Sequence, residues 1–379
     1  MKKRGLIYKV YYHIKNLFKD DQTGIYRHLT FKKVINYIKN MYDAIIRNPY
    51  VSSYPIHITV DPANICQLKC PLCPTGQGLY SRPKIMMRFD DFKKILEQLG
   101  DYIISLSFFS WGEPLLNRDV FKMIKYTADR KVFVDMSSNF LYFDEDMAER
   151  LVESQLTHLI ISMDGATQKT YEIYRVGGKI DKLIKNIKTI VKKKEEMKSN
   201  LPFITIRFLV MAHNEHEIPE IKRIGKELGA NRVEIATVMV NIKDEAEVKR
   251  WLPKNESLSI YDYKRRIKKQ KQVFCKSLWQ SPSINTDGSL VPCCHLFHES
   301  NDFGNIFKEG FDAIWNNKYY QTSRNLFNNL TLSHVSSVKT PCSTCLTPFL
   351  TSANGDVDII NESLTNKQVF DAKLKYQEL

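Results

Sequence analysis

Short hydrophobic runs alternate with amphipathic segments along the middle of the chain. Six runs rich in β-branched and aromatic residues predict strands at 56–60, 103–109, 132–136, 159–163, 203–210 and 233–240. Between them, apolar residues recur at helical spacing over 90–99, 120–130, 145–153, 182–197 and 219–228. Gly229 stands where a glycine that ends a helix is expected. This alternation predicts an α/β fold with a parallel sheet, either doubly wound or curled into a partial barrel.

The segments on either side of this region have a different pattern. Residues 241–274 are charged, and their pattern is mostly helical, which is typical of a linker or a bridging helix. Five cysteines follow between residues 275 and 345, and the chain ends in a polar tail. We therefore divide the chain into an amino-terminal arm (1–54), a core (55–240), a helical linker (241–274), a cysteine-rich domain (275–350) and a tail (351–379).

The amino-terminal arm carries much of the positive charge. Its first 50 residues contain 11 Lys/Arg and 3 Asp/Glu, which is +8 of the net +14 of the chain. Two amphipathic helices are predicted. The apolar stripe of the first is Leu6, Ile7, Val10, Ile14, Leu17 and Phe18. The apolar stripe of the second is Phe31, Val34, Ile35, Ile38, Tyr42, Ile45 and Ile46, and Thr30 is placed to cap its start. We expect both stripes to pack against the main domain. The alternatives are an anionic membrane surface or a phosphorylated substrate, and a nucleic-acid role is disfavoured because no recognised module accompanies the charge.

Composition excludes several classes of protein. The chain has 379 residues and a hydrophobic fraction of 43%, which is enough to bury a core. No apolar run reaches the roughly 18–20 residues that a membrane span needs, and Lys9 and Lys15 interrupt any signal-peptide core. We expect a cytoplasmic protein. The basic arm also allows the alternative of peripheral contact with the inner membrane surface. Eight cysteines in a reducing compartment indicate metal binding or catalysis and not a disulfide framework.

Three cysteines follow the first predicted strand within eight residues. They are Cys66, Cys70 and Cys73 in the segment CQLKCPLC. Three thiolates on one loop can ligate three irons of a [4Fe–4S] cluster and leave the fourth iron open for a small chelating ligand. The alternative is a zinc knuckle, although zinc sites usually pair one C-x₂₋₄-C with a distant second half.

This motif resembles the signature of the radical S-adenosylmethionine (SAM) superfamily, C-x₃-C-x₂-C after the first strand of a partial (βα)₆ TIM-type barrel. The resemblance covers about 56–240. It implies that Gly112 and Glu113 hold the SAM amino group, that Ser138 and Asn139 contact the ribose, and that Ser162 and Arg175 contact the SAM carboxylate. Two residues depart from the family pattern. Leu72 replaces the usual aromatic residue before the third cysteine, and Phe140 replaces a glycine after Asn139.

The second cysteine group resembles the SPASM or shorter twitch domain, which binds auxiliary [4Fe–4S] clusters. Its predicted ligands are Cys275, Cys293, Cys342 and Cys345, which are enough for one fully ligated cluster; a zinc ribbon is the alternative. An Asp-Gly pair at 287–288 predicts a type I′ hairpin whose return strand carries Cys293. With SAM, the resemblance thus implies two [4Fe–4S] clusters as cofactors.

Cys294 is left over from both groups. A free cysteine is most often a small buried hydrophobic residue. It could instead replace Cys293 as a ligand, or return a hydrogen atom to a substrate radical, as a cysteine does in radical SAM epimerases.

The resemblance implies that the reduced cluster gives one electron to SAM and that the resulting 5′-deoxyadenosyl radical abstracts hydrogen from a substrate carbon. We expect an oxidoreductase or epimerase acting on a carbohydrate, aminocyclitol or lipid-linked head group, with flavodoxin or ferredoxin as electron donor. The alternative is modification of a ribosomal peptide, which is disfavoured because the arm is predicted to be helical and not a strand-rich peptide-recognition module. A non-catalytic zinc or electron-transfer protein is the third class, and the three-cysteine motif argues against it.

Overall fold

Six parallel strands form the core of the molecule. A computed structural model describes residues 24–265, 267–268, 275–327, 338–343 and 345. The strands are β1 (His57–Val60), β2 (Ser105–Phe108), β3 (Phe133–Ser138), β4 (His158–Ser162), β5 (Phe203–Val210) and β6 (Arg232–Thr237). Each pairs in parallel with the next, in the order in which they follow along the chain. The predicted α/β fold with a partial (βα)₆ barrel is confirmed.

The helices that connect these strands cover one face of the sheet, and further helices precede β1 and follow β6. They are α1 (Phe31–Ile46), α2 (Phe89–Leu99), α3 (Val120–Ala128), α4 (Glu145–Glu153), α5 (Gln168–Tyr174), α6 (Ile180–Glu196), α7 (Ile218–Glu227) and α8 (Glu245–Trp251). Short 3₁₀ turns lie at Ile25–His28, Pro114–Leu116, Glu215–Glu217, Glu256–Leu258, Glu299–Asn301 and Pro341–Ser343. The sequence pattern did not predict α5, which is seven residues long and begins with a capping box between Thr167 and Thr170. Gly229 follows α7 with φ 75°, as its predicted capping role requires.

The two faces of the sheet differ in polarity. Side chains of β5 that face the helices are fully buried and apolar, such as Ile206 and Phe208. The opposite, inner face carries hydrogen-bonded polar pairs: His57 with Ser105, Ser107 with Asp135, His158 with Thr205, and Arg207 with Glu234. A closed barrel core is normally filled by apolar side chains. A polar inner face therefore indicates a lumen suited to water or a polar ligand.

The cysteine-rich domain extends this sheet beyond β1. Strands β9 (Ser283–Ile284), β10 (Ser289–Val291) and β11 (Gly304–Asn305) follow, and β9 pairs in parallel with β1. The helices α9 (Ser277–Gln280), α10 (Ile306–Glu309), α11 (Phe311–Trp315) and α12 (Lys318–Asn325) complete the described part of this domain. The core and the auxiliary domain thus share one nine-stranded sheet.

Two details of the carboxy-terminal half correct the sequence analysis. The hairpin is not type I′, because Gly288 has a positive φ of 79° whereas Asp287 does not, and a type I′ turn needs two such residues. In the part of the linker that the structure describes, the one α-helix is Glu245–Trp251, a 3₁₀ turn follows at Glu256–Leu258, and the short strands β7 (Tyr261–Asp262) and β8 (Ile267–Lys268) then pair. The helix ends there because Pro253 forces the preceding Leu252 into an extended conformation.

The amino-terminal arm differs most from expectation. The predicted helix 6–18 lies outside the described residues. The helix α1 is confirmed, with the Thr30 side chain accepting a hydrogen bond from the amide of Lys33. The expectation that its apolar stripe packs on the domain is wrong, since six of those side chains are exposed and the buried face is mainly polar. No helix of the described residues is long and apolar enough to cross a membrane.

Candidate SAM and cluster site

The residues selected from the sequence converge at the carboxyl ends of the parallel strands. Cys66, Cys70 and Cys73 lie on the loop after β1, and Gly112 and Glu113 follow β2. Ser138 ends β3 and Asn139 follows it, whereas Ser162 ends β4. Arg175 comes directly after α5. Ligands of open α/β sheets bind at this edge.

The three cysteines of the first loop occupy a partly buried environment. Cys70 is buried and the other two are half-buried. Burial, with smaller contributions from nearby Glu113, Cys70 and Cys73, raises the pKa of the Cys66 thiol to about 12, although the Leu68 amide opposes the change. Free thiols thus resist ionisation here, and a metal cluster would reverse this because it binds thiolates. Three thiols on one loop are the donor set of a [4Fe–4S] cluster with one open iron, although among the described residues no three His, Cys, Asp or Glu side chains already surround a common centre.

Glu113 is a fully buried carboxylate that the protein holds from three sides. It accepts hydrogen bonds from Ser138 Oγ at 2.6 Å, the Asn139 amide at 2.8 Å and the Leu115 amide at 3.1 Å. Burial raises its pKa, whereas these hydrogen bonds oppose the change. The charge contributes to the raised pKa of Cys66. A buried carboxylate close to the first cysteine fits a ligand that brings an ammonium group to the cluster.

Gly112 allows the Glu113 loop to approach β1 closely. A Cβ atom on Gly112 would lie 1.5 Å from the carbonyl oxygen of Ala63. Next to it, the Glu113 amide donates a hydrogen bond to the Ile65 carbonyl at 2.8 Å. A side chain at position 112 would therefore push the Glu113 carboxylate away from the cysteine loop.

Asn139 connects Glu113 to the cysteine loop. Its amide nitrogen Nδ2 lies 3.6 Å from Cys66 Sγ, and its Oδ1 accepts a hydrogen bond from Gln67 Nε2 at 2.8 Å. The next residue, Phe140, has φ 58°, a conformation that favours glycine. Its ring is fully buried and lies 4.1 Å from the ring of Phe143. The departure from the family glycine is thus compensated by packing in the core.

Arg175 joins Asp164 to the second cysteine of the motif. Its Nε donates to Asp164 Oδ2, and its Nη1 lies 3.8 Å from Cys70 Sγ. Burial disfavours the guanidinium charge, but Asp164 and Cys70 keep the pKa of Arg175 well above its ordinary value. Asp164 has no exposed side-chain surface and also accepts from the Leu209 amide at 2.7 Å. Sequence reasoning gave Asp164 no role, although it lies two residues after Ser162 in SMDG.

Below these loops, charged side chains line the inner face of the sheet. Asp135 accepts a hydrogen bond from Ser107 Oγ at 2.6 Å, and burial raises its pKa to about 6. Arg207 donates to Glu234 at 3.0 Å, and each side chain remains about one third exposed. Asp135, Arg207 and Glu234 were not selected from the sequence, because a strand pattern does not tell whether the polar face meets solvent or a lumen.

The predicted ligands of the auxiliary cluster also approach one another. Burial raises the pKa of Cys293 well above its ordinary value, and Cys294, Cys342 and Cys275 add to the effect. Burial raises the pKa of Cys342, and Cys275 and Cys345 add to the effect. Burial raises the pKa of Cys294 as well. Both Cys293 and Cys294 lie in a turn after β10 and not on the strand itself.

A buried arginine and an aromatic group connect the two cysteine sites. Arg82, on the loop after Cys73, donates to both oxygens of Asp302, to Asp287 and Ser289, and to the Phe297 carbonyl. Next to this junction, the ring of Trp111 meets that of Phe297 edge-on at 5.4 Å, and its Nε1 donates to the Leu296 carbonyl. The turn that carries Cys293 and Cys294 therefore lies directly beside the Glu113 loop.

Two family models match the chain. The model of the radical SAM superfamily matches residues 60–238. The model of an iron–sulfur cluster-binding domain, SPASM, matches residues 275–346. The order of the two matches is the order in which the core and the cysteine-rich domain follow along the chain.

Relatives and solved structures extend this result. The chain is 25% identical over 206 residues to a PqqA peptide cyclase of Granulibacter bethesdensis, covering 54% of this chain and 53% of that protein. It is 23% identical over 278 residues to the subtilosin biosynthesis protein AlbA of Bacillus subtilis, covering 69% of this chain and 60% of AlbA. The chain thus spans only about half to three fifths of these relatives. The fold is similar to SuiB of Streptococcus suis bound to its precursor peptide SuiA, with a TM-score of 0.56, 17% identity, and coverage of 76% of this chain and 70% of SuiB.

These comparisons correct one expectation and confirm another. The expectation of a carbohydrate, aminocyclitol or lipid-linked substrate is wrong, because the two relatives and the solved structure described above are named for PqqA, the bacteriocin subtilosin and the precursor peptide SuiA. The expectation about family and cofactors is confirmed by the two family models and by their order along the chain. Residues 60–238 belong to the radical SAM superfamily and residues 275–346 form a SPASM domain, and these two domains imply SAM and two [4Fe–4S] clusters as cofactors.

Proposed function

We propose that this protein is a radical SAM enzyme that modifies a peptide or protein substrate. The observation that carries the proposal is that proteins named for peptide substrates match in two independent comparisons: a peptide cyclase and a bacteriocin biosynthesis protein match by sequence. A structure with its precursor peptide bound matches by fold. When bound, SAM and the reduced cluster supply a 5′-deoxyadenosyl radical that removes a hydrogen atom from a substrate carbon.

The residues of this chain have separate tasks in that proposal. Cys66, Cys70 and Cys73 hold the SAM-binding cluster, and Cys275, Cys293, Cys342 and Cys345 hold the auxiliary cluster. Glu113 binds the SAM ammonium group, which the buried position of its carboxylate favours because little water competes for the charge. Gly112, Ser138 and Asn139 fix the position of that carboxylate.

Arg175 and Ser162 face the opposite end of SAM in this proposal. The guanidinium of Arg175 keeps its charge through Asp164, so it offers a permanent cation to the SAM carboxylate. Ser162 is 8% exposed, and its register partner on β5 is Arg207. This serine therefore stands at the border between the SAM loops and the lumen.

The polar lumen receives the substrate residue. Asp135, Arg207 and Glu234 lie on the inner face of the strands whose carboxyl ends carry the SAM residues. Two carboxylates and one guanidinium favour a polar or cationic side chain over an apolar one. A peptide can present such a side chain while its backbone stays outside the lumen.

The substrate radical has two possible fates, which differ in the balance of electrons. Loss of its electron to the auxiliary cluster, with loss of a proton or closure of a new bond, gives a product two hydrogens lighter. Return of a hydrogen atom from a thiol gives an epimer of equal mass and leaves a thiyl radical, which takes one electron from the reduced auxiliary cluster and one proton to restore the thiol. Cys294 is a candidate donor because its turn contacts Trp111 beside the Glu113 loop, although we favour oxidation because four cysteines remain for a fully ligated auxiliary cluster.

Cluster content and SAM cleavage test the enzyme class first. Anaerobic reconstitution should give about eight iron atoms per chain, and the Cys66→Ala/Cys70→Ala/Cys73→Ala variant should keep about four. The reduced wild-type protein should convert SAM to 5′-deoxyadenosine, and the variant should not. Stoichiometric zinc in the wild-type protein would contradict the cluster assignment.

Mass spectrometry of peptides tests the substrate. Cells with and without the protein should differ in a peptide that changes in mass or stereochemistry, and that peptide should stimulate formation of 5′-deoxyadenosine. Unchanged peptides together with a changed small metabolite would overturn the proposal. For the peptide found, a product two hydrogens lighter supports oxidation, whereas equal mass with solvent deuterium, lost in Cys294→Ala, supports epimerisation.

A further inference from the structure

One side of the helix α12 is buried although it is polar. Tyr320, Ser323 and Arg324 share this side at helical spacing, and none of the three has exposed surface. Nearly all buried polar groups of folded proteins are hydrogen-bonded. The hydroxyl of Tyr320 is an exception, because it has no hydrogen-bond partner among the residues that the structure describes. A buried hydroxyl is costly to leave unpaired, so this one is a donor ready for a bound group.

The ring of Tyr320 contacts the strand that leads to Cys293. It meets the ring of Phe303 edge-on, with 4.9 Å between the ring centres. The amide of Phe303 donates a hydrogen bond to the carbonyl of Leu290 on β10 at 2.8 Å, and Cys293 lies in the turn after that strand. Tyr320 is therefore packed against the part of the sheet that ends at one predicted ligand of the auxiliary cluster.

The same side of α12 also contacts the segment that carries Cys342. The hydroxyl of Ser323 donates to Thr340 Oγ1 at 3.0 Å, and the 3₁₀ turn Pro341–Ser343 begins directly after Thr340. Burial raises the pKa of the Cys342 thiol, whereas Ser323 opposes the change, which is the effect of a hydrogen-bond donor near an ionised sulfur. The helix thus lies between two segments that carry auxiliary ligands.

The charges around the Tyr320 hydroxyl come from one arginine and two cysteines. Burial raises the pKa of Tyr320 well above its ordinary value. Arg324 opposes this change, whereas Cys342 and, to a smaller extent, Cys293 add to it. The hydroxyl is therefore within electrostatic reach of two predicted ligands of the auxiliary cluster, and Cys342 has the stronger effect.

Arg324 fixes the orientation of the Tyr320 ring. Its Cζ lies 4.8 Å from the centre of that ring, which is the distance of a cation–π contact. The guanidinium is itself held by three acceptors at 2.9–3.1 Å, which are the carbonyls of Leu278 and Pro49 and Oδ1 of Asn316. The hydroxyl is thus positioned by the protein before any cofactor binds.

We propose that the Tyr320 hydroxyl donates a hydrogen bond to the sulfur of Cys342 when the auxiliary cluster is bound. This role rests on the proposed function, in which Cys342 ligates that cluster and the cluster accepts an electron from the substrate radical. Hydrogen bonds to the sulfurs help to set the reduction potential of an iron–sulfur cluster. Because the donor stabilises the more negative, reduced form, Tyr320 raises the potential of the auxiliary cluster and makes it a better electron acceptor.

Redox titration of the reconstituted full-length protein, followed by electron paramagnetic resonance, tests the proposal. Addition of SAM tells the two clusters apart, because only the cluster with an open iron should change its signal. At the wild-type midpoint, Tyr320→Phe should raise the ratio of oxidised to reduced auxiliary cluster about ten-fold, which is a fall of about 59 mV for a one-electron couple. The midpoint of the SAM-binding cluster should not change.

Tyr319→Phe is the matched control. Tyr319 is the neighbouring tyrosine on the same helix, is only half-buried, and stacks on Phe303 at 5.7 Å. Its substitution should leave both midpoints at their wild-type values. A second measurement needs no variant: after exchange of the wild-type protein into D₂O, pulsed electron paramagnetic resonance should detect a strongly coupled deuteron on the reduced auxiliary cluster.

Three results would overturn the proposal. A ratio in Tyr320→Phe within two-fold of the wild type, with about eight iron atoms still bound, would overturn this role of Tyr320 alone. Absence of the coupled deuteron from the wild-type protein would do the same, even if Tyr320→Phe loses iron. A wild-type protein with only about four iron atoms per chain would overturn the auxiliary cluster itself, and with it the proposed ligand set.

Discussion

The buried guanidinium of Arg82 should be the strongest single connection between the radical SAM core and the SPASM domain. Its side chain is 3% exposed, and it pairs with Asp287 at 3.2 Å and with Asp302. It also donates to Ser289 Oγ at 2.7 Å and to the Phe297 carbonyl at 3.1 Å. Every one of these acceptors belongs to the auxiliary domain. Arg82→Met keeps an unbranched apolar stem and removes the guanidinium with its charge and all four contacts.

The expected cost follows from the exposure of the partners. Removal of one partner of a buried ion pair typically costs about 3–5 kcal/mol, because the other charge is left buried. Asp287 and Asp302 are 33% and 24% exposed, so water reaches them in part and the cost should lie near 3 kcal/mol. Arg118 is the matched control: it is 47% exposed and lies 3.8 Å and 4.0 Å from its partners Asp144 and Asp146. Such surface pairs contribute about 0–1 kcal/mol.

Scanning calorimetry of the reconstituted proteins under anaerobic conditions measures the difference. Arg82→Met should melt roughly 3–5 °C below the wild type, whereas Arg118→Met should melt within about 1 °C of it. Arg82→Lys should fall between them, because it keeps the charge and loses the planar fork that reaches both oxygens of Asp302. Equal melting temperatures for the Arg82→Met and Arg118→Met variants would refute the reasoning and show that the shared sheet alone holds the domains together.

Three further predictions concern the core. Glu113→Ala should weaken SAM binding roughly ten- to a hundred-fold in titration calorimetry, because a charge-assisted hydrogen bond is worth about 1.5–3 kcal/mol; unchanged affinity would contradict the assigned role. Phe140→Gly should destabilise the protein by about 2–4 kcal/mol in urea, because the lost ring costs about 3–5 kcal/mol and relief of its positive φ returns about 1 kcal/mol; greater stability would show that strain outweighs packing. The folded-state pKa of Asp135 is raised to about 6, so its ionisation destabilises the fold as pH rises from about 4 to 6. Asp135→Asn should therefore be more stable than the wild type by up to about 2–3 kcal/mol at pH 7 and not at pH 4, and a pH-independent difference would contradict this.

Much of the barrel was predictable because its strands have one apolar face. The strands β1 to β6 begin and end within three residues of the predicted limits, since apolar residues that meet the helices mark them clearly. The cysteine spacing was equally informative, because ligands of one cluster have to be close in space. Asp164 was within reach of the same reasoning, as it lies in the strand-end segment that supplied Ser162.

Contacts between distant parts of the chain were not predictable. The pairing of β9 with β1 joins residues more than 200 positions apart, and two-residue strands carry little pattern of their own. In the sequence, Arg82 has the features of an ordinary surface residue. Only the structure shows that residues 287, 289, 297 and 302 surround its side chain. For α1, the apolar pattern predicted the helix correctly and its buried side wrongly, because amphipathicity does not tell which face meets the domain. That choice depends on backbone carbonyls, such as that of Trp279, which bind Asn40 and are invisible in a hydrophobic pattern.

The two cysteine sites lie on loops that leave strands of one sheet, so the backbone hydrogen bonds of that sheet fix the distance between them. The loop of Cys66, Cys70 and Cys73 leaves the end of β1, and β9 pairs with β1 at Thr59 and Val60. The turn of Cys293 and Cys294 leaves β10, the next strand of the same sheet. Hydrogen-bonded strands lie about 4.8 Å apart and slide little against each other. A hinge between the two domains would therefore have to break the sheet, the Arg82 contacts and the Trp111–Phe297 contact together. Access for a substrate has to come from movement of loops or of the substrate itself, and not from separation of the domains.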